Sequence, residues 1–292
     1  MTNTFTGTGV ALVTPFTADL QVDFDALTRL VEFQIDNGTD FLVVQGTTGE
    51  SPTLSTEEKM AILNEVVEIN EGRCQIVYGV GGNNTAKVAE TLAALPQGID
   101  GILSVSPYYN KPIQKGIVAH YKMLADSTDL PIILYNVPGR TGSNVAPETT
   151  LELAEVKNIV AVKEASGNME QIMQIIKHRP KGFGVLSGDD NLTMPLIAAG
   201  ADGVISVVAN AFPALFSKMV HSAMKGKWDK ARIAHYKLFD ITKMFFEQGN
   251  PGGIKAALAH LEIMEDYMRP PLFPVSEDLK KRIEVETNAI LG

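Results

Sequence analysis

A single cysteine, Cys74, stands among the 292 residues. No disulfide can form within the chain, and no Cys-His cluster with metal-ligand spacing is available. Cys74 itself reads as a small filler on a strand. Positive charge is scarce: 25 Lys and Arg face 34 Asp and Glu, a formal net charge of −9. Nucleic acid is thereby disfavoured as a partner, because a phosphate backbone needs a basic footprint. A small anion held by one local cation stays open. Long apolar runs are missing too, since a Gly, a Pro or a charge interrupts each within a few positions. A membrane span needs about twenty apolar residues. The amino terminus, Met1-Thr-Asn-Thr-Phe-Thr-Gly7, lacks the basic and apolar regions of a signal peptide. The expectation is a soluble, cytoplasmic protein with no membrane partner.

What is present is a regular alternation. Short apolar runs occur at Val10–Thr14, Phe41–Gln45, Gln75–Gly79, Gly101–Ser106, Ile132–Asn136, Ile159–Glu164, Gly184–Ser187 and Gly203–Val208. Most are apolar at successive positions, the mark of parallel strands buried on both faces. Helical patterns fill the gaps. Leu27, Leu30, Val31 and Ile35 share a helical face that Asn37-Gly38 stops. Ser55-Thr-Glu-Glu58 reads as a capping box, and Pro147 suits the first turn of a helix over Glu148–Val156. Eight strands, each followed by a helix, predict an α/β fold of the (β/α)₈ TIM-barrel type. Strand signals stop near residue 227. Trp228–Phe246, Gly253–Glu265 and Ser276–Leu291 read as helices, so the expected division is a catalytic barrel over 1–226 and a C-terminal helical appendage over 227–292.

In such barrels chemistry collects at the carboxyl ends of the strands. Lys163 ends the run Ile159-Val-Ala-Val-Lys163 and shares its face with Ile159 and Ala161. Buried there, the ammonium is disfavoured and a neutral amine can attack a carbonyl; a lysine that snorkels out to water is the alternative. Tyr135 ends the preceding strand and is expected beside Lys163, where a phenol can relay protons. Gly46-Thr-Thr-Gly49 offers two hydroxyls and a cluster of amides suited to a carboxylate, or else is a plain turn. Arg140 can hold a second carboxylate by a forked contact. Gly79-Val-Gly81 has Asn84 where a dinucleotide loop needs its third glycine, so a Rossmann site is excluded. Asp189-Asp190 reads as a helix cap rather than a metal site, because the five histidines have no ligand spacing.

Together, Gly46-Thr-Thr-Gly-Glu50, Tyr108-Tyr-Asn-Lys-Pro112, Tyr135-Asn-Val-Pro-Gly-Arg-Thr-Gly142, Val162-Lys-Glu-Ala-Ser166 and Ser187-Gly-Asp-Asp190 resemble the dihydrodipicolinate synthase and N-acetylneuraminate lyase family of Schiff-base aldolases. The resemblance runs from about Gly7 to the carboxyl end. Thr47 and Thr48, where sialic acid lyases usually read Ser-Thr, and Arg140, which they commonly lack, favour the synthase branch.

The resemblance implies that Lys163 condenses with pyruvate while Thr47 and Thr48 hold its carboxylate. It further implies that Tyr135, Thr47 and Tyr109 relay protons, Tyr109 reaching in from a neighbouring subunit. Arg140 would bind the carboxylate of L-aspartate 4-semialdehyde, and Gly188 and Ile205 would line the pyruvate pocket. The implied setting is the diaminopimelate route to lysine. No metal or organic cofactor is implied, the iminium being the electron sink, and the implied assembly is a homotetramer of two tight dimers. Sister lyases acting on N-acetylneuraminate, 2-keto-3-deoxygluconate or 4-hydroxy-2-oxoglutarate are the alternative, and a barrel that merely senses a carboxylate is a more distant one. A feedback pocket for lysine in relatives corresponds to Ser51, Thr56, Lys59, Asn83, Lys87 and Tyr108. Sensitive members commonly carry two His and a Glu where this chain has Thr56, Lys59 and Lys87, so weak or absent inhibition by lysine is expected. The glycine-rich Asn250-Pro-Gly-Gly-Ile-Lys255 also departs from the family pattern and has no functional account in the sequence.

Overall fold

Strands that are apolar at every position need hydrocarbon on both faces, and a closed barrel wrapped in helices provides it. In the computed structural model, which describes residues 5–292, eight parallel strands close in sequence order. They are β1 Gly7–Ala11, β2 Phe41–Val44, β3 Gln75–Gly79, β4 Gly101–Val105, β5 Ile132–Asn136, β6 Ile159–Glu164, β7 Gly184–Ser187 and β8 Gly203–Ser206. β1 pairs with β2 on one side and with β8 on the other, Gly9 facing Phe41 and Ile205 in the two registers.

The strands sort their side chains by parity. Ala11, Phe41, Val43, Val77, Leu103, Ile133, Tyr135, Ala161, Leu186 and Ile205 form one buried cluster inside the barrel. Their neighbours in sequence, such as Leu42, Val44, Leu134 and Val162, belong to the larger core beneath the helices.

The ring of helices is α1 Phe24–Asp36, α2 Thr56–Asn70, α3 Thr85–Ala93, α4 Gln114–Asp126, a single turn α5 Pro138–Thr141, α6 Pro147–Ala154, α7 Met169–His178, α8 Thr193–Ala199 and α9 Pro213–Met224. The Ser55 hydroxyl and the Glu58 carboxylate form the reciprocal capping box at the start of α2. Gly38, at φ +82°, follows the end of α1. The chain continues in α10 Trp228–Glu247, α11 Gly252–His260 and α12 Glu277–Leu291. α9 and α10 pack along each other, and α10, α11 and α12 pack together. Among the described residues no helix is long and apolar enough to cross a membrane.

Two boundaries differ from the sequence reading by three residues or more, the others by one or two. β1 begins at Gly7 and ends at Ala11 rather than spanning Val10–Thr14. Leu12, Val13 and Thr14 are buried, but the Val13 amide donates to Asn210 Oδ1 at 3.2 Å and the Thr14 hydroxyl to the Gly49 carbonyl at 2.6 Å. Apolar composition continues past the point where the ladder stops. The helix read as Gly253–Glu265 ends at His260, where Glu262 takes φ +57° and the Ile263 amide turns back to the Leu258 carbonyl.

Candidate active site

Lys163 and Tyr135 are register partners on β6 and β5. The Lys163 ammonium nitrogen lies 4.5 Å from the centroid of the Tyr135 ring, and both residues are buried. The lysine does not reach out to water: only 5% of it is exposed. Parity explains the placement, since Ala161 and Lys163 point into the barrel while Val162 and Glu164 point outward. Glu164 ends the same strand inside a cage of donors. It accepts from Ser166 Oγ at 2.6 Å, from Gln171 Nε2 at 3.3 Å and from Asn136 Nδ2. Burial nevertheless raises its pKa above the usual carboxylate value.

The turn after β2 is a single 3₁₀ turn, Thr47–Gly49. Thr47 is exposed at the cleft, whereas Thr48 is buried and its hydroxyl accepts from Asn250 Nδ2 at 3.0 Å. Glu50 closes the turn in the left-handed region at φ +54°, and its carboxylate lies 2.5 Å from the buried Lys255 ammonium. After β5, Pro138 opens α5 and Gly142 ends it at φ +69°, which presents Arg140 from an exposed turn.

A cleft of about 320 Å³ opens between the β2 turn and α5; Lys163 and Thr48 do not line it and lie behind Tyr135 and Thr47, which do. Thr47, Tyr108, Tyr135 and Arg140 line it, with Gly46, Gly79, Leu103 and Val105. Gly188 lies against the Lys163 stem: a methyl group at its α-carbon would fall 3.1 Å from Lys163 Cε. Ile205 packs in the same interior cluster as Tyr135. Tyr109 stands apart. It is 87% exposed, on a loop where both it and Lys111 have positive φ, and it is not among the residues lining its own chain's cleft. A second cleft, of about 790 Å³, shares Ser51 and Lys59 with the first and holds Thr56, Asn83 and Lys87.

One feature went unread in the sequence and another was misread. Gln45 lines the cleft, is buried, takes φ +63°, and neither of its amide atoms has a hydrogen-bonding partner among the described residues. Its only signal is a polar residue at the end of Phe41-Leu-Val-Val44. Asp190 does not cap a helix, contrary to expectation. Its buried carboxylate accepts from Ser206 Oγ and from the Val207 and Val208 amides, bridging β7 to the loop after β8. Desolvation raises its pKa to about 6. Cys74 is half-buried and its thiol is pushed up to about 11 by burial, which suits a filler.

A model of the dihydrodipicolinate synthetase family matches residues 4–290. The chain belongs to this family. It is 50% identical over 288 residues to the 4-hydroxy-tetrahydrodipicolinate synthase of Flavobacterium psychrophilum, the match covering 98% of each chain. The synthase of the same name from Parabacteroides distasonis is 54% identical over 270 residues, covering 92% of this chain and 91% of the relative. Among solved structures, the chloride-inhibited dihydrodipicolinate synthase of Acinetobacter baumannii in complex with pyruvate superposes with a TM-score of 0.96. It is 37% identical, and the match covers 98% of this chain and 99% of that one. Family membership thus extends over the barrel and the helical tail alike.

Proposed function

We propose that the chain condenses pyruvate with L-aspartate 4-semialdehyde through a Schiff base on Lys163, the reaction of the 4-hydroxy-tetrahydrodipicolinate synthases. The observation that carries this reading is a lysine buried inside the barrel against a tyrosine ring, beside a cleft with a hydroxyl-bearing turn on one rim and an arginine on the other. The amides and hydroxyls of Thr47 and Thr48 receive the pyruvate carboxylate. The unprotonated Lys163 amine attacks the ketone carbon, and water leaves as the iminium forms. Tyr135, Thr47 and a neighbouring subunit's copy of Tyr109 carry the protons. Gly188 and Ile205 leave room for the methyl end of the keto acid.

Loss of a methyl proton gives the enamine, whose carbon attacks the aldehyde while Arg140 holds the aldehyde's carboxylate. The substrate's own amine then adds to the iminium carbon, and the C–N bond to Lys163 breaks. The protein is released and the ring is closed. The iminium takes up the electron pair, so the scheme draws on no metal or organic cofactor. A homotetramer of two tight dimers fits the exposed Tyr109, next in sequence to the cleft residue Tyr108, and a cytoplasmic setting fits the lone, unpaired cysteine.

Reduction with borohydride in the presence of pyruvate, followed by peptide mapping, tests the central step. The expected result is one pyruvate-derived adduct on Lys163, lost in Lys163→Ala. No covalent mass gain would leave only a carboxylate-binding barrel. A coupled assay with aspartate semialdehyde, N-acetylneuraminate, 2-keto-3-deoxygluconate and 4-hydroxy-2-oxoglutarate is expected to favour the first, and turnover of a sugar acid alone would move the chain to a sister activity.

A further inference from the structure

The glycine-rich segment Asn250–Lys255 meets the back of the Thr47–Thr48 turn at two buried points. Asn250 Nδ2 donates to Thr48 Oγ1 at 3.0 Å. The Lys255 ammonium lies 2.5 Å from Glu50 Oε1, with both side chains wholly buried. It also donates to the Tyr267 carbonyl at 2.8 Å and sits 4.4 Å from the Phe16 ring centroid. The second Glu50 oxygen accepts from the Arg269 amide at 3.2 Å.

The two glycines make this contact possible. A methyl group at Gly253 would fall 2.5 Å from Phe245 Cα on α10, and one at Gly252 would fall 3.1 Å from Val275 Cγ1. α11 therefore lies close enough to its neighbours to bring Lys255 into the core. A buried ion pair is weak evidence for stability, because two apolar side chains of the same volume often serve as well. The Thr14 hydroxyl already ties the turn to the barrel through the Gly49 carbonyl. What the tail adds is orientation. A Thr48 hydroxyl that accepts from Asn250 keeps its own hydrogen for another acceptor, and a charged clamp on Glu50 fixes the residue that ends the turn.

We propose that Asn250 and Lys255 are positioning residues which, acting through Thr48 and Glu50, set the turn that receives the keto-acid carboxylate. The proposal rests on the reading above that this turn takes that carboxylate. It also gives the departure at Asn250-Pro-Gly-Gly-Ile-Lys255 a role.

Three variants of the full chain test it: Asn250→Ala, Lys255→Met and the neutral pair Glu50→Gln/Lys255→Met. KM and kcat are measured for each substrate, together with the pyruvate concentration that half-saturates borohydride trapping. Asn250→Ala and the neutral pair are expected to raise both pyruvate values about tenfold, the worth of one hydrogen bond. The aldehyde KM and the adduct mass at saturation should stay as in the parent. Lys255→Met alone should also lose thermal stability, because Glu50 is left buried without its partner. Unshifted pyruvate values in Asn250→Ala and the neutral pair, with a normal parent adduct, would overturn this proposal alone. So would an equal rise for both substrates accompanied by a lower melting temperature. A parent chain that forms no pyruvate adduct would overturn both this proposal and the reading beneath it.

Discussion

Gly188 shows how narrow the tolerance beside the amine is. A methyl group there would meet Lys163 Cε at 3.1 Å, Ala165 Cβ at 2.6 Å and the Glu164 carbonyl oxygen at 3.1 Å. The lysine stem can swing aside, but Ala165 and the β6 backbone cannot. Gly188→Ala is therefore expected to raise the pyruvate KM by about tenfold or more and to cost about 1–3 kcal/mol of stability through overpacking. Full borohydride trapping at the parent's pyruvate concentrations would contradict it. Among single residues, Lys163 was legible in the sequence because one charge in an apolar run must be buried or must escape. Tyr135 was legible because strand ends place it beside that charge. Gln45 was not. It lies one residue past β2 at φ +63°, and its place acquires meaning only when the sheet closes on itself and the end of β2 becomes part of a mouth. Nor could sequence tell a cap from a bridge at Asp190, whose acceptors are used by the amides of another strand's loop.

Elements are tied across the molecule by a second charged pair, Glu58 and Arg269. Glu58 completes the capping box of α2 by accepting from the Ser55 amide at 2.8 Å, and the same carboxylate takes both Arg269 terminal nitrogens, at 2.6 and 2.8 Å. Arg269 also donates to the Leu20 and Thr53 carbonyls and lies over Phe16. The guanidinium is the main reason the Glu58 carboxyl is held at about 2. A carboxyl whose folded pKa lies below its unfolded value stabilises the fold above about pH 4.5, and that contribution is lost as pH falls towards 2. Because the pair is partly solvated, its worth is about 1–2 kcal/mol. Glu58→Gln is expected to lower the unfolding free energy from urea titration at pH 7 by that amount, with the gap to the parent closing between pH 5 and pH 2. A gap that stays constant across that window would contradict the assignment. The capping box itself was readable from Ser55 and Glu58 because its partners are three residues apart. Arg269 was not, since only the folded tail brings it to α2.

At the scale of the whole molecule, eight strands and the helices between them were readable because doubly buried strands leave no alternation to confuse with surface strands. Boundaries were less so, as at β1 and α11, because burial outlasts the hydrogen-bond ladder. Five of the six positions where relatives would bind lysine, Ser51, Thr56, Lys59, Asn83 and Lys87, line the larger cleft, with two ammonium groups against the single carboxylate of Glu90. Free L-lysine is accordingly expected to leave the rate unchanged up to about a millimolar, since two ammonium groups repel a third. A half-maximal effect below that concentration would refute the expectation. Light scattering is expected to give the mass of four chains, and a mass of one chain with full activity would remove Tyr109 from the proton relay.

The barrel joins its first strand to its eighth, Gly7 against Gly203, and the turn at its mouth is reached by Asn250, 202 residues downstream of Thr48. A ribosome making this chain therefore releases seven strands before the ring can shut, and must pass Asn250 before the threonine turn is seated. Nascent chains carry an open sheet edge until β8 emerges and pairs with β1, which makes the stretch from β2 to β8 the one over which chaperone protection matters most.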